Sequence, residues 1–335
     1  MTGSLVAVCP RTLSEHPPFA AALEAAGLTA RWNRTGARLR GEALATFLTG
    51  ATHAVIGVEE ADVTSLPALR VVAKYGVGLD TLDLDALERA GIEVGWTPGV
   101  NRRSAAELTI GLMLGALRQI GTADRQVRAG AVGEGWRPAP GRELGGARVG
   151  VLGCGHVGLE VVRLLRAFGA EVRVHDLRDR TDVLGPLGVA QVELDELLTT
   201  SEVLTLHVPL DATTRGLVDA RSLGRLPRGA VVVNVSRGGV IDEAALLAAL
   251  DGGDLAGAAL DVRALEPTPA DALARHDRVL STPHVGGGTA GAIAAMAGAA
   301  LHNLLHPQPV AALRARLERA AIEPWRDWAL PEGPR

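Results

Sequence analysis

Three side chains suited to acid–base chemistry and anion binding each follow a predicted strand. Arg237 comes after "AVVVNV", Glu266 follows "GAALDV", and His284 follows the strand that leads to Pro283. Because ligands of an open α/β sheet bind beyond the carboxyl ends of its strands, we expect the three groups to share one rim. Taken singly, each residue type is more common as a surface group or in a turn. Their combination favours a catalytic site.

The combination suits reduction of a carbonyl group that lies beside a carboxylate. A guanidinium fork such as that of Arg237 can bind both the carboxylate and the carbonyl oxygen. The imidazole of His284 can donate a proton to the developing alkoxide and take it back in the oxidation direction. The carboxylate of Glu266 can fix the imidazole tautomer and stabilise its charged form. A nicotinamide would supply the hydride chemistry.

A glycine-rich segment predicts where such a cofactor would bind. The strand "RVGVL" runs into Gly153-Cys-Gly-His-Val-Gly158, an amphipathic helix follows, and the next strand, "EVRVHD", ends in Asp176. Gly153 permits a tight turn, Gly155 lets a pyrophosphate approach the backbone, and Gly158 lets the helix pack on the strand. The alternative is an ordinary strand-to-helix turn with a surface aspartate, but four features agree in order and spacing. The segment therefore predicts a dinucleotide site.

Asp176 predicts the choice between the two nicotinamide dinucleotides. A carboxylate there accepts hydrogen bonds from the ribose hydroxyls and repels a 2′-phosphate, so NAD is favoured over NADP. The neighbouring Arg178 and Arg180 leave the strength of that preference open. His156, inside the glycine segment, is interpreted as a residue at the start of a helix and not as a catalyst. No set of metal ligands is predicted.

Composition restricts the kind of protein. The chain has 335 residues, 47% hydrophobic, with a net charge of −4, which suits a globular protein of two domains and gives no reason to expect nucleic acid or a membrane as partner. With two cysteines, Cys9 and Cys154, a disulfide framework is not supported. The first residues lack the pattern of a signal peptide, so a cytoplasmic location is expected.

Short β-branched runs alternate with amphipathic stretches along most of the chain. Such βα alternation predicts the α/β class, here two Rossmann-like doubly wound parallel-sheet domains with a cleft between them. The second series holds six predicted strands, from "RVGVL" to "RVLST". We expect one long helix over Ser104–Ile120, an extended arm over 121–146, and a final helix over Ala290–Leu305. The strands predicted in the first series are Leu5–Val8, Ala54–Val58, Arg70–Ala73 and Ile92–Val94.

At this point the sequence resembles the D-isomer-specific 2-hydroxyacid dehydrogenases, a family that includes D-3-phosphoglycerate, glyoxylate/hydroxypyruvate and phosphite dehydrogenases. The similarity runs from about Leu69 to His302 and is strongest to the phosphoglycerate dehydrogenase branch, although we expect no regulatory domain of the kind found in that branch. The motifs that carry it are "AKYGVGLDTLD" (73–83), "TPGVNRRSAAELTIGLML" (97–114), "ELGGARVGVLGCGHVG" (143–158), "LHVPLDATTRGLV" (206–218), "NVSRGGVIDEAAL" (234–246), "ALDVRALEP" (259–267) and "TPHVGGGT" (282–289).

The resemblance implies a division of labour between two domains. Residues 1–100 with 290–335 would form a flavodoxin-like substrate domain, and 101–289 an NAD-binding Rossmann domain whose segment 121–146 is a dimerisation arm, with Trp136 a candidate to reach the partner's site. The implied substrate-binding residues are Lys74, Tyr75, Gly76, Val77, Gly78, Asn101 and Arg102, with Arg237 and His284. The implied cofactor-binding residues are Gly153, Gly155, His156, Val157, Gly158, Asp176, His207, Val208, Pro209, Thr214, Val235, Ser236, Arg237, Asp261, His284 and Gly286, with Asp261 on the nicotinamide carboxamide.

The resemblance implies an NAD-dependent dehydrogenase that acts on a small anionic 2-hydroxy or 2-oxo acid. It does not identify which acid is the substrate. A doubly charged substrate such as a phosphate or phosphonate would suit the extra arginines Arg102, Arg103 and Arg263, the last at a position where relatives often carry an aromatic residue. The alternative for Arg102 and Arg103 is that they lie at the start of a helix in solvent or contact the cofactor phosphates. A glyoxylate/hydroxypyruvate reductase is the nearest alternative. Formate dehydrogenase is disfavoured, because it pairs its histidine with glutamine. An NAD-sensing corepressor or scaffold is the alternative of another class. The role of Gly286–Gly288 is also open.

Overall fold

The computed structural model describes residues 4–14, 16–60, 62, 66–133, 137, 140–319 and 322. Contacts within the chain divide it into unit 1, residues 1–101 and 287–335, and unit 2, Arg102–Gly286. Each unit is built on one parallel sheet. The prediction of two parallel-sheet α/β domains is therefore confirmed.

Unit 1 contains a five-stranded sheet in the order β2-β1-β3-β4-β5, the strand order of flavodoxin-type doubly wound sheets. Its strands are β1 (Leu5–Val8), β2 (Thr29–Trp32), β3 (His53–Ile56), β4 (Val71–Lys74) and β5 (Glu93–Gly95). Its helices are α1 (Arg11–Ser14), α2 (Pro17–Ala25), α3 (Gly41–Leu48), α4 (Leu84–Arg89) and, from the later part of the chain, α13 (Ala290–Leu305) and α14 (Val310–Arg319).

Helix α13 completes the core of unit 1, although it follows β5 by almost 200 residues of sequence. Its small buried residues Ala297 and Ala300 pack with Phe19 and Val55, which lie on the first part of the chain. Gly95 allows the close approach, because a Cβ there would collide with the backbone of Asn303. The packing of unit 1 thus depends on two segments that are far apart in the sequence.

Unit 2 contains a seven-stranded sheet in the order β12-β11-β10-β9-β6-β7-β8. Strand order reverses beside β6, since β7 lies on one side of it and β9 on the other, and such a switch point is where doubly wound sheets bind ligands. The strands are β6 (Arg148–Leu152), β7 (Glu171–His175), β8 (Ala190–Gln191), β9 (Val203–Leu206), β10 (Ala230–Asn234), β11 (Leu255–Leu260) and β12 (Val279–Ser281). The helices are α5 (Arg102–Leu117), α6 (Ile120–Arg128), α7 (His156–Ala167), α8 (Thr181–Leu184), α9 (Leu194–Thr200), α10 (Ala220–Leu223), α11 (Glu243–Asp251) and α12 (Ala272–Arg275).

The structure differs from the sequence prediction at three elements. Strand β2 was not predicted, because Thr29–Trp32 is only partly buried and lacks an apolar run. Strand β8 has two residues and adds a seventh strand to the predicted six. The single helix predicted over Ser104–Ile120 is two helices, α5 and α6, separated at Gln119, whose φ of 52° is left-handed. The segment predicted as an extended arm therefore begins as a helix.

Candidate functional site

The glycine segment lies at the switch point between β6 and α7. Gly153 has φ of 93°, and a Cβ there would lie 2.8 Å from the carbonyl carbon of His207 after β9. A Cβ at Gly158 would collide with the carbonyl oxygen of Gly153. Around Gly155, by contrast, no atom lies within 4 Å of a Cβ position. The two tight glycines pack the loop, and the third leaves open space where backbone N–H groups at the start of α7 are available to a phosphate.

Asp176 is held against this glycine segment. Its Oδ2 accepts a hydrogen bond from the backbone N of Cys154 at 2.7 Å, and its Oδ1 accepts one from the backbone N of Arg178 at 2.9 Å. The Nε of Arg180 lies 3.6 Å from Oδ2. A carboxylate offers about four acceptor positions, so each oxygen keeps capacity for a ribose hydroxyl. The loop geometry and the carboxylate together fit an adenosine diphosphate group.

The loop after β9 faces the glycine segment. His207 forms a 2.9 Å hydrogen bond between its Nε2 and Thr205 Oγ1, and burial lowers the pKa of His207 to about 3, so the ring is neutral at physiological pH. Thr214 donates its hydroxyl proton to the carbonyl of Pro209 at 2.7 Å and accepts from the backbone N of Asp211. The Thr214 hydroxyl thus fixes the loop, and its predicted contact with a cofactor stays a prediction.

Glu266 and His284 form a hydrogen-bonded pair on the rim of the same sheet. Glu266 Oε2 lies 2.8 Å from His284 Nδ1, with the side chains 28% and 36% exposed. Burial acts to raise the pKa of Glu266, but the hydrogen bond and charge of His284, the backbone N–H of Arg263 and the charge of Arg237 together hold it below its usual value. The carboxylate is therefore ionised at neutral pH. With Nδ1 bonded to it, Nε2 is the nitrogen left to exchange a proton with a substrate.

Arg237 follows β10, and Asn234 holds the turn that carries it. The Nδ2 of Asn234 donates to the carbonyl of Arg237 at 2.9 Å, and its Oδ1 accepts from the backbone N and hydroxyl of Ser236 at 3.0 and 2.8 Å. Asn234 was not predicted as a site residue, although asparagine side chains commonly bond the backbone two residues further on in such a turn. The neighbouring Val235 lies beside Gly286, where a Cβ would be 3.4 Å from its side chain.

Asp261 organises the loop that presents His284. Its carboxylate accepts hydrogen bonds from the Thr282 hydroxyl at 2.6 Å and from the backbone N of Val285 and Gly286 at 2.8 and 2.9 Å. Its carbonyl accepts from the backbone N of His284, whose φ of 55° is left-handed. Asp261 is thus a positioning residue for the imidazole, and its predicted contact with a nicotinamide carboxamide stays a prediction.

The predicted substrate loop lies in unit 1, at the end of β4. Gly76 has φ of 96°, and the carbonyl of Val77 accepts a hydrogen bond from Trp96 Nε1 at 3.0 Å. Lys74 is 4% exposed and donates to the carbonyl of Gly57 and to Thr81 Oγ1. The ammonium of Lys74 therefore supports the loop from inside the unit, while the predicted contacts of the loop with substrate stay predictions.

Tyr75, the next residue of that loop, also belongs to the interior of unit 1. It packs among the apolar residues of the unit's core. Burial raises the pKa of Tyr75 to about 12, and the nearby Thr12 acts in the opposite direction with a smaller effect. Asn101 lies beside Gly287, where a Cβ would be 3.1 Å from its Nδ2. A side chain at Gly287 would thus press on Asn101, which gives one reason for a glycine there.

The arginines that distinguish this sequence have different surroundings. Arg102 begins α5, and Arg103 forms an exposed pair with Glu107, Nε to Oε1 at 2.6 Å. Arg263 has a side chain only 2% exposed and is paired with Glu243 and Asp271. The idea that Arg263 offers positive charge to a substrate is therefore wrong, because two carboxylates of the chain already occupy its guanidinium. Trp136 lies outside the described residues.

Within the described ranges, no group of three or more His, Cys, Asp or Glu side chains is arranged to hold a metal ion. In the same part of the chain, no helix has both the length and the apolar character needed to cross a bilayer.

Comparison with known proteins gives consistent matches. The family model described as "D-isomer specific 2-hydroxyacid dehydrogenase, NAD binding domain" matches residues 110–286. D-3-phosphoglycerate dehydrogenase of Rattus norvegicus is 40% identical over 223 residues, which are 66% of this chain and 41% of that protein. The match thus spans less than half the length of this curated relative.

Solved structures match over most of their length. The crystal structure of a glyoxylate reductase from Paecilomyes thermophila has a TM-score of 0.80 at 27% identity, covering 96% of this chain and 98% of that one. The NADPH-dependent glyoxylate/hydroxypyruvate reductase from Sinorhizobium meliloti, solved with citrate, has a TM-score of 0.78 at 30% identity, covering 90% and 94%.

Proposed function

The chain belongs to the D-isomer specific 2-hydroxyacid dehydrogenase family, and from this we propose that it transfers a hydride between a nicotinamide and a small anionic 2-hydroxy or 2-oxo acid. The observation that carries the proposal is the 2.8 Å bond between Glu266 and His284 Nδ1, beside Arg237 on the cofactor rim. Burial acts to raise the pKa of Glu266, whereas the hydrogen bond and charge of His284, the backbone N–H of Arg263 and the charge of Arg237 hold it below its usual value. Such opposed influences on one carboxyl group are common at functional sites.

The cofactor is NAD, the ligand of the domain that the family model describes. We assign its pyrophosphate to the backbone around Gly155 and the start of α7, and its adenosine ribose to Asp176. The open space at Gly155 and the spare acceptor positions of Asp176 support this assignment. The negative charge of Asp176 favours NAD over NADP, although Arg180 lies near enough to weaken the discrimination.

Each catalytic residue has one task. The nicotinamide, when bound, supplies or accepts the hydride. Arg237 binds the substrate carboxylate and the carbonyl oxygen at C2, which orients the carbonyl and stabilises charge on its oxygen. In reduction, His284 Nε2 donates a proton to that oxygen; in oxidation, it takes the proton from the C2 hydroxyl. Glu266 accepts a hydrogen bond from Nδ1–H of His284, keeps this tautomer and stabilises the imidazolium.

Two classes of substrate fit this site. The first is a 2-hydroxy or 2-oxo acid that also carries a phosphate or phosphonate group, as in 3-phosphoglycerate, and the second is a smaller acid such as glyoxylate or hydroxypyruvate. The 40% identity to the rat phosphoglycerate dehydrogenase supports the first. The likeness to two solved glyoxylate reductases over nearly their whole length supports the second. The pairing of Arg263 within the chain removes one argument for a doubly charged substrate.

We propose a homodimer formed through segment 121–146. Helix α6 has no buried residue, and its apolar side chains Ile120 and Val127 are 55% and 64% exposed. Residues seven positions apart lie on the same face of a helix, so Ile120 and Val127 together give α6 an apolar side for a second copy of the chain to cover. The net charge of −4 gives nucleic acid and anionic membranes no electrostatic attraction. Cys9 and Cys154 are free and buried, which supports a cytoplasmic location.

The test is a steady-state screen of 2-hydroxy and 2-oxo acids, including phosphorylated and phosphonylated ones, with NAD(H) and NADP(H). We expect turnover with NAD(H), and we expect Arg237→Ala to lower kcat/KM by about 10²-fold or more with NADH affinity nearly unchanged. Arg225→Ala removes an arginine from an exposed pair with Asp195 in the same unit and serves as the control. A wild-type protein that binds NADH and turns over no member of the panel would refute the enzyme reading in favour of a sensor or scaffold.

A further inference from the structure

A buried arginine links the loop that carries Glu266 to two acidic side chains from other parts of unit 2. Arg263 donates from Nε and Nη2 to the two oxygens of Glu243, at 3.0 and 2.9 Å. It also donates from Nη2 and Nη1 to the two oxygens of Asp271, at 2.7 and 3.4 Å. The Arg263 side chain is 2% exposed. One guanidinium is therefore held by two carboxylates through charge-assisted hydrogen bonds, which are strong and directional.

The same network reaches the catalytic pair through the backbone. Glu243 Oε1 accepts a hydrogen bond from the backbone N of Ala264 at 2.7 Å. The backbone N of Arg263 donates to Glu266 Oε1 at 3.3 Å, and the other oxygen of Glu266 holds His284 Nδ1 at 2.8 Å. Glu266 is thus fixed from one side by the loop residue Arg263 and from the other by the imidazole.

The acidic partners are themselves rigidly placed. Glu243 is the first residue of α11, and Asp271 is the N-cap of α12, where it accepts from the backbone N of Ala274 at 2.9 Å. Gly238, next to Arg237, packs on the backbone of Arg263 so closely that a Cβ would collide with it. The loop that bears Glu266 is therefore anchored to two helix starts and pressed against the turn that bears Arg237.

We propose that Glu243, Arg263 and Asp271 form a positioning triad that keeps the Glu266 carboxylate at hydrogen-bonding distance from His284 Nδ1 and so preserves the pair on which proton transfer depends. The inference rests on the proposed function, in which His284 is the acid–base group. The charged groups around Glu266 are His284 and Arg237, while Arg263 lies between Glu243 and Asp271 and offsets the repulsion between their carboxylates. Without the guanidinium, these two carboxylates would repel each other, and the loop between them would shift.

The experiment compares Arg263→Met, which removes every contact of the guanidinium, with Arg263→Lys, which keeps the charge. Glu243→Gln keeps Arg263 and Asp271 and serves where Arg263→Met does not fold. Asp195→Asn, in the exposed pair with Arg225, is the matched control. The readouts are kcat and KM for the best substrate, and the pH titration of the His284 ring by NMR in the NADH-free protein, assigned with His284→Gln.

Arg263→Met, or Glu243→Gln where it does not fold, is expected to displace the NMR titration of His284 and to lower kcat by about 10²-fold, the effect of a displacement of roughly 1 Å. KM changes little, because Arg237 still binds the substrate. Arg263→Lys recovers most of kcat, and the control behaves as wild type. An unchanged titration in a folded variant overturns the triad's role. If the wild type turns over no hydroxy acid, the proposed function fails, and the NMR titration alone decides the inference.

Discussion

Replacing Glu266 by glutamine separates the two effects that this carboxylate has on His284. A glutamine oxygen can still accept a hydrogen bond from Nδ1–H at the 2.8 Å distance, so the tautomer is kept. The negative charge that stabilises the imidazolium is lost. We therefore expect a protein of wild-type fold and NADH affinity whose reductive step is impaired, since that step needs a protonated imidazole.

The size of the effect follows from the geometry of the pair. A hydrogen bond to a charged group contributes about 1.5–3 kcal/mol and one between neutral groups about 0.5–1.5 kcal/mol, so loss of the charge alone costs about 1–1.5 kcal/mol. About 1.4 kcal/mol is tenfold in rate. Because the two side chains are 28% and 36% exposed, solvent screening places this pair at the lower end of that range. We expect kcat/KM for reduction of the 2-oxo acid to fall about tenfold at neutral pH.

The pH dependence gives the sharper result. Although burial acts to raise it, the pKa of Glu266 is held low by His284, the backbone of Arg263 and Arg237, so wild type keeps the carboxylate ionised as pH falls towards that lowered pKa. As pH rises, the rate of reduction by Glu266→Gln should start to decline at a lower pH than the rate of the wild type, because the charge that stabilises the imidazolium is missing. The assay is NADH consumption from pH 5 to 9. Coincident profiles, with rates within twofold, would refute a charge effect of Glu266 on His284.

The remaining predictions concern the cofactor loop and unit 1. Asp176→Asn keeps an acceptor but removes the charge, so the ratio of kcat/KM for NAD over NADP should fall about tenfold; an unmoved ratio means that another group reads the ribose. Gly158→Ala should lower the free energy of unfolding by about 1–3 kcal/mol and weaken NADH binding, whereas Gly155→Ala, with no atom within 4 Å, should leave stability unchanged in urea denaturation. Lys74→Met leaves the carbonyl of Gly57 and the Thr81 hydroxyl without their donor and should destabilise the protein by about 1–3 kcal/mol; equal urea midpoints would contradict its supporting role.

The fold was predictable where strands are buried on both faces. Strands β9 and β10 lie wholly in the core and are mostly apolar, with Thr205 inside β9 and Asn234 at the end of β10 as their polar residues. The partly exposed β2 gives no such signal. The break between α5 and α6 was not predictable, because Gln119 adopts a left-handed φ where glycine or asparagine is usual. The local sequence pattern therefore predicts the central strands, but it does not predict the edge strand β2 or the turn at Gln119.

The candidate site also has a part that was predictable from the sequence and a part that was not. The glycine loop and the residues after β10, β11 and β12 were predictable, because parallel strands bring their carboxyl ends to one edge whatever the sequence between them. The surroundings of Arg263 were not, since its partners Glu243 and Asp271 lie 20 and 8 positions away in the sequence and on separate helices. Sequence pattern identifies groups that chemistry requires, but only the fold shows which arginine is already neutralised.

The discontinuity of unit 1 has a consequence for synthesis of the protein on the ribosome. Residues 102–286, a continuous stretch, are made before α13 emerges, and at usual elongation rates this takes roughly 10–40 s. During that interval the sheet of unit 1 lacks the helix that covers Val6, Phe19 and Val55. Unit 2 can fold on its own connectivity in the meantime. The nascent chain therefore exposes part of the apolar face of unit 1 while unit 2 is synthesised and folds. We expect chaperones to bind the first 101 residues during this interval.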